Sequence, residues 1–349
     1  MKTEEIGWIN YAKGLAIIAV LVNHTYNSLY FDDHFLVASF FNNSVFIMVS
    51  GYLCFFSNKK RSRSYLENVT HSLSNVLLAY TLATFIYQVY DSHCFDLEQF
   101  LIHLVHFDAS TQFHYICLFI QLMLVNKPLY IVTRTSFESK FLDIIKDIIL
   151  GVILIFLSYF SVNYTNILNV YGGGGKLLGG TYIIIYYLGM LLAKYHIFDK
   201  SNLGGGGIGN NTLLIKSLIS IFVWILWYLF MYQNSMKIDS KLPFGEGYNP
   251  PSISIAILGF ITFITAYELN NMLHAVKIIW VYKPIEYLGK HTLYIYLYHI
   301  LFLNLGRKYV LLHGDMFEKI MCYIIMIGGS IALEYSFNWL AAKYKLISA

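Results

Sequence analysis

WINYAKGLAIIAVLVNHTYNS, residues 8–28, is a mostly apolar run of helix length that carries Lys13 within it and Asn23-His24 near its end. A hydrocarbon core about 30 Å thick takes about 20 such residues as one helix, so the run reads as a membrane span with ionisable groups inside it. Nine more runs of this kind lie near 35–56, 70–90, 113–133, 146–163, 179–195, 212–232, 252–269, 288–305 and 319–342. Composition agrees, because 57% of the 349 residues are hydrophobic and only 13% charged, against about 25% charged in an average soluble domain. Unpaired backbone groups cost several kcal/mol in lipid, and these runs far exceed the alternating strands of a barrel, so the spans are predicted to be α-helical. The expected fold is all-α, a polytopic transmembrane helix bundle of about ten spans.

Charge gives the bundle a direction. With the N-terminus inside, eighteen of the 24 Lys and Arg residues fall on the inner side, and the outer loop near 91–112 holds Asp91, Asp96, Glu98 and Asp108 with no Lys or Arg. The positive-inside rule therefore predicts two cytoplasmic termini. The longest connection is about twenty residues, so residues 1–349 are expected to form a single integral membrane domain. A net charge of +4 is too small to suggest a nucleic-acid partner, whereas 17% aromatic residues suit a lipid interface. Cys54, Cys94, Cys117 and Cys322 form no CxxC pair, which argues against a disulfide framework or a thiolate metal site. Lys13 within the first apolar run, and the lack of a small-residue cleavage site after it, speak against a cleavable signal peptide. The glycine runs Gly172 to Gly175 and Gly204 to Gly207 lack the context of a phosphate loop and read as connectors. No feature specifies an oligomeric state.

Lys13 and His24 are eleven residues apart, so at about 100° per residue they share one helix face, and at 1.5 Å per residue they stand about 16 Å apart along the axis. Lys13 is thereby placed near the inner end of the span and His24 in its outer half. Ionisable residues inside a membrane are costly and usually face a bundle interior or a wet cavity. On spacing alone, a snorkelling lysine and a core histidine remain the other reading.

These residues carry a resemblance. Lys13, ten intervening residues and His24 resemble the Arg/Lys-x10-His signature of the acyltransferase-3 family of membrane acyltransferases. Phe46 to Leu53, with Ser50-Gly51-Tyr52 followed by a basic loop, is similar to that family's second span. Phe113-His114-Tyr115 through Gln121 to Pro128 resembles its aromatic helix opening, and Leu288-Gly289-Lys290-His291-Thr292 through Tyr296-Leu297-Tyr298-His299 its C-terminal pattern. The resemblance implies a multi-pass protein of a bacterial cell membrane that moves an acyl group, acetyl in the first instance, from cytoplasmic acyl-CoA to a hydroxyl of an extracytoplasmic glycan or similar acceptor. The phosphopantetheine arm is of the order of the 16 Å rise computed above, so a nucleotide held near Lys13 presents its thioester near His24. An imidazole can take the hydroxyl proton and return it to the leaving thiolate. Where many members have Arg, position 13 is Lys, which replaces a planar fork with a point charge.

The expected sites follow. His24 is the candidate catalytic base, and Lys13, Arg61 and Arg63 are the candidate donor contacts. The Lys59-Lys60-Arg61-Ser62-Arg63 loop suits coenzyme A phosphates, or equally anchors the topology beside anionic lipid. His114, Asp32 and His299 are candidate acceptor contacts on the outer side, with solvated acids and hydrogen-bonded histidines as the plainer alternative. Glu334 is an intramembrane acid open to pairing with Lys13 or another cation. His103 and His106 lack a third ligand nearby, so no metal is expected. The competing class is a transporter or exporter of a small solute or lipid-linked glycan, disfavoured by the absence of an internal repeat or paired broken spans.

Overall fold

The computed structural model describes residues 3–60, 64–164, 170, 175–198, 210–238 and 251–343. Among them there is no β-strand, and thirteen α-helices follow in order. They are α1 (Thr3–Thr25), α2 (Asp33–Ser39), α3 (Asn42–Lys60), α4 (Tyr65–Ser92), α5 (Leu97–His106), α6 (His114–Arg134), α7 (Lys140–Tyr164), α8 (Tyr182–Lys194), α9 (Asn210–Ile238), α10 (Ile253–Ala275), α11 (Ile279–Lys290), α12 (Thr292–Tyr309) and α13 (Met316–Lys343). A helix stands at each of the ten expected positions. Six segments, over Asp33–Lys59, Tyr65–Ser92, Thr111–Arg134, Asn211–Asn234, Ile253–Ala275 and Met316–Lys343, are long and apolar enough to cross a membrane. This is an all-α integral membrane bundle.

The remaining helices depart from the expected loops for identifiable reasons. Asp32 caps α2, its side chain accepting from the His34 amide, and so sets a short helix apart before α3. Asp96 caps α5 in the same way, and that helix leaves Leu97, Leu101 and Val105 exposed as an apolar stripe. In α11, Lys283, Glu286 and Lys290 interrupt the apolar run, yet Tyr282, Glu286 and Gly289 are buried.

α1 is the central helix, lying against α3, α10, α11 and α12. Trp8, Ile9, Ala12, Ala16, Ile17, Val20 and Leu21 are all buried along it, and Trp8 packs against the rings of Tyr52, Phe198, Phe263 and Tyr267. By contrast α9 exposes Leu214, Ile215, Leu218, Ile219 and Phe222, a face that only lipid would cover. That contrast explains why polar groups concentrate on α1, since a central helix turns them toward protein and not hydrocarbon. Two crossings bring backbones into direct contact. Gly14 lies on the Ile285 carbonyl and Gly289 on that of Asn10, joining α1 to α11, while Gly51 and Gly189 join α3 to α8. Lipid supplies no hydrophobic drive between helices, so such close approach is what gives them contact.

Candidate active site

The C-terminal end of α1 is fixed by hydroxyls that satisfy its last carbonyls. Thr25 Oγ1 donates to Leu21 O at 2.8 Å, Tyr30 Oη to Val22 O at 2.8 Å and Ser28 Oγ to Thr25 O at 2.9 Å. Thr25 Oγ1 also lies 2.6 Å from the Tyr323 hydroxyl of α13. His24 therefore projects from a tethered helical turn, and the C-terminal turn of a helix favours a cation such as the imidazolium formed by a base.

His299 of α12 meets it edge to face, with ring centroids 4.9 Å apart and planes inclined by 60°. His299 is 0% exposed, and its Nδ1 lies 2.8 Å from Tyr296 O and 3.1 Å from Ile295 O. Carbonyls only accept, so the hydrogen-bond network assigns the proton to Nδ1 and leaves Nε2 with a bare lone pair. Among the described residues that Nε2 has no hydrogen-bond partner. A buried acceptor left unused is open to a hydrogen-bond donor from a ligand. His114, buried at the start of α6, is oriented in the same manner, its Nδ1 donating to Thr111 O at 2.7 Å, and it lies within electrostatic reach of His24. Tyr296 stands beside His299 with 6.0 Å between rings and packs on Tyr115 at 5.1 Å.

Lys13 lies eleven residues back along the same helix, partly buried, with no ion pair or hydrogen bond among the described residues. The acids of α11 and α13 are occupied elsewhere. Glu286 Oε1 accepts from Asn270 Nδ2 at 3.1 Å and pairs with His274 Nε2 at 2.8 Å, and Glu334 pairs with His291 Nδ1 at 2.8 Å. A lysine without a carboxylate is a cation open to an anionic ligand.

The structure thus brings His24, His299 and His114 together and sets Lys13 apart, eleven residues toward the N-terminus of α1. Asp32 is exposed and caps α2, while the neighbouring Asp33 accepts from Tyr26 Oη at 2.5 Å. Arg61 and Arg63 lie outside the described residues. His103 is paired with Asp108 at 2.7 Å, and no group of three His, Cys, Asp or Glu suited to a metal occurs among the described residues. Sequence reasoning missed Tyr87 and Gln112, which hydrogen-bond to the backbone of α12 around His299. Gln112 offered a faint signal as an amide beside an apolar run, but Tyr87 is one of 30 tyrosines.

The family described as an acyltransferase domain matches residues 6–339, nearly the whole chain. The chain belongs to the acyltransferase-3 family. No curated protein and no solved structure matches it. Membership makes this protein a membrane acyltransferase, an enzyme with an acyl donor and an acceptor substrate. For such an acyltransferase the two ends of α1 have complementary chemistry, a cation without a carboxylate among the described residues at one and the bare His299 Nε2 beside His24 at the other.

Proposed function

We propose that this acyltransferase moves an acyl group, acetyl in the first instance, from cytoplasmic acyl-CoA to a hydroxyl of an extracytoplasmic glycan or similar acceptor. In this reading residues 1–349 form a single domain of ten spans with both termini in the cytoplasm, in a bacterial cell membrane. The observation that supports it is the arrangement along α1, with Lys13 unpaired among the described residues and His24 facing His299 eleven residues further along the helix. Lys13, with Arg61 and Arg63 from the basic loop, holds the phosphates of the donor on the inner side. The thioester reaches outward by about the 16 Å that separates the two residues.

His24 acts as general base. It removes the proton of the acceptor hydroxyl as the oxygen attacks the thioester carbonyl; the C–S bond breaks as the C–O ester bond forms, and the proton passes from the imidazolium to the departing thiolate. His299 and His114 line the acceptor side. The free Nε2 of His299 takes a hydrogen bond from the acceptor and so orients it, while Asp32 stands at the outer rim. No metal takes part in these steps.

The test is direct. Protein purified into nanodiscs should release coenzyme A thiol from acetyl-CoA only when a hydroxyl acceptor is present, and surface glycans of cells carrying the gene should gain the mass of one acetyl group per modified residue. Acceptor movement across the bilayer without thioester consumption would instead support a transporter.

A further inference from the structure

The reaction described above leaves one buried hydrogen-bond network unused. Tyr87 of α4 is 3% exposed, and Gln112, in the short 3-10 turn before α6, is 0% exposed. The Tyr87 hydroxyl donates to Leu297 O at 3.2 Å and accepts from the Leu301 amide at 2.9 Å. Those are the i and i+4 groups of a single turn of α12, so the phenol bridges two ends of one rung in the helical ladder. Gln112 uses both amide protons at the same place, Nε2 donating to Tyr87 Oη and to Leu297 O at 3.0 Å each. Its Oε1 accepts from Ser110 Oγ at 2.6 Å, and its main-chain carbonyl accepts from Tyr296 Oη at 3.0 Å.

One phenol proton and two lone pairs, and both carboxamide protons, are all used, and a fully satisfied buried network is rigid. The gripped residues, 296, 297 and 301, bracket His299, whose own Nδ1 is tied to Tyr296 O. The same short segment supplies Thr111 O, which holds His114.

We propose that Tyr87 and Gln112 are positioning residues: by clamping the 296–301 turn of α12 they fix the direction of His299 Nε2 and hence the geometry of the His24–His299 pair. The inference rests on the reading that His299 meets the acceptor in the reaction. Neither residue touches the reacting atoms. Tyr80 provides an internal comparison, since it lies on the same helix and is equally buried, but its hydroxyl donates at 3.1 Å to the His103 and Leu104 carbonyls of α5, away from His299.

Full-length protein in nanodiscs tests this, with Tyr87→Phe, Gln112→Ala, Tyr80→Phe, His299→Ala and Tyr87→Phe/His299→Ala compared for kcat and for both KM values with acetyl-CoA and a hydroxyl acceptor. Tyr87→Phe and Gln112→Ala should each lower kcat about 10- to 100-fold, as a misplaced group does, with the donor KM unchanged. A Tyr87→Phe/Gln112→Ala variant, compared in the same assay, should be no worse than the more impaired single one, because the two act as a unit. Tyr80→Phe should keep wild-type kcat. In the His299→Ala background Tyr87→Phe should have no further effect on kcat. A full multiplicative loss in that background, or an equal fall in Tyr80→Phe, overturns the positioning role and leaves a clamp that only holds the fold. Wild-type turnover in His299→Ala overturns the reading of His299 itself. Should Tyr87→Phe not insert, Ser110→Ala unties only Gln112 Oε1 and should give a smaller fall in kcat that likewise vanishes without His299.

Discussion

Gly289→Ala is expected to destabilise the bundle by pushing α11 off α1. A methyl at Gly289 would overlap the Asn10 carbonyl oxygen and lie 2.9 Å from Asn10 Cα, whereas carbon atoms in contact rest at about 3.5–4.0 Å. The Asn10 carbonyl carbon, at 2.5 Å, is closer still, so the two helices must part by more than about 1 Å. The reciprocal point offers no relief, because Gly14 is in equally close contact with Ile285. Overpacking of this kind costs about 1–3 kcal/mol. It also moves the helix that carries both Lys13 and His24, and a displacement of about 1 Å at a reacting group costs on the order of 100-fold in rate. Gly328, inside α13, provides the control, since a methyl there meets nothing within 4 Å and Ala is favoured over Gly in a helix by about 0.5–1 kcal/mol. Thermal unfolding in detergent, followed by tryptophan fluorescence, should lower Tm for Gly289→Ala and hold or raise it for Gly328→Ala. Equal Tm and equal turnover in the two variants would refute the close crossing and the argument that it sets the place of α1.

Three further outcomes are expected. Cys94 is exposed two residues before Asp96, so a membrane-impermeant maleimide should label it in intact cells and Cys94→Ser should abolish that signal; labelling only after permeabilisation would contradict two cytoplasmic termini. Replacing Arg61 and Arg63 together with Ala should raise the KM for acyl-CoA more than it lowers kcat, because a remote phosphate contact is largely uniform binding, and unchanged donor kinetics would leave the loop as a lipid-side anchor. At the N-terminal end of α7, the hydrogen bond from Lys194, together with Lys146, holds the Asp143 carboxyl below its usual range; its stabilising contribution is present above the ordinary carboxylate pKa and lost as pH falls through the lowered one, so Asp143→Asn should flatten the acid limb of the Tm–pH profile, and an unaltered limb would count against the pairing.

Much of the fold was legible because hydropathy over about 20 residues is a local signal, and a helix stands wherever the sequence placed a span. The shared face of Lys13 and His24 followed from helical geometry alone. What escaped was set by contacts between distant residues or by short polar helices. In α11, Lys283, Pro284 and Glu286 break the apolar run that would have marked it, so a helix packed along α1 reads as an inner loop. Asp32 was legible as a candidate acceptor contact, and an aspartate just before a helical stretch is also a cap, which is where its carboxylate is engaged. His299 and His114 were legible as outer-side histidines, yet the approach of His299 to His24 joins residues 275 positions apart and only the bundle reveals it. The clamp of Tyr87 and Gln112 spans separations of 185 to 214 residues and has no local signature at all.

The central claim is that α1 holds the donor at Lys13 and performs the chemistry at His24. It is tested most directly by measuring acyl-CoA binding by calorimetry and transfer to a glycan acceptor side by side in His24→Ala and Lys13→Ala, each shown to be folded and inserted. His24→Ala should bind acyl-CoA as the wild type does and lose transfer by about 10²–10⁴-fold, the range of acid–base catalysis, while Lys13→Ala should lose donor affinity first. Transfer at near wild-type rate in well-folded His24→Ala protein would contradict the account.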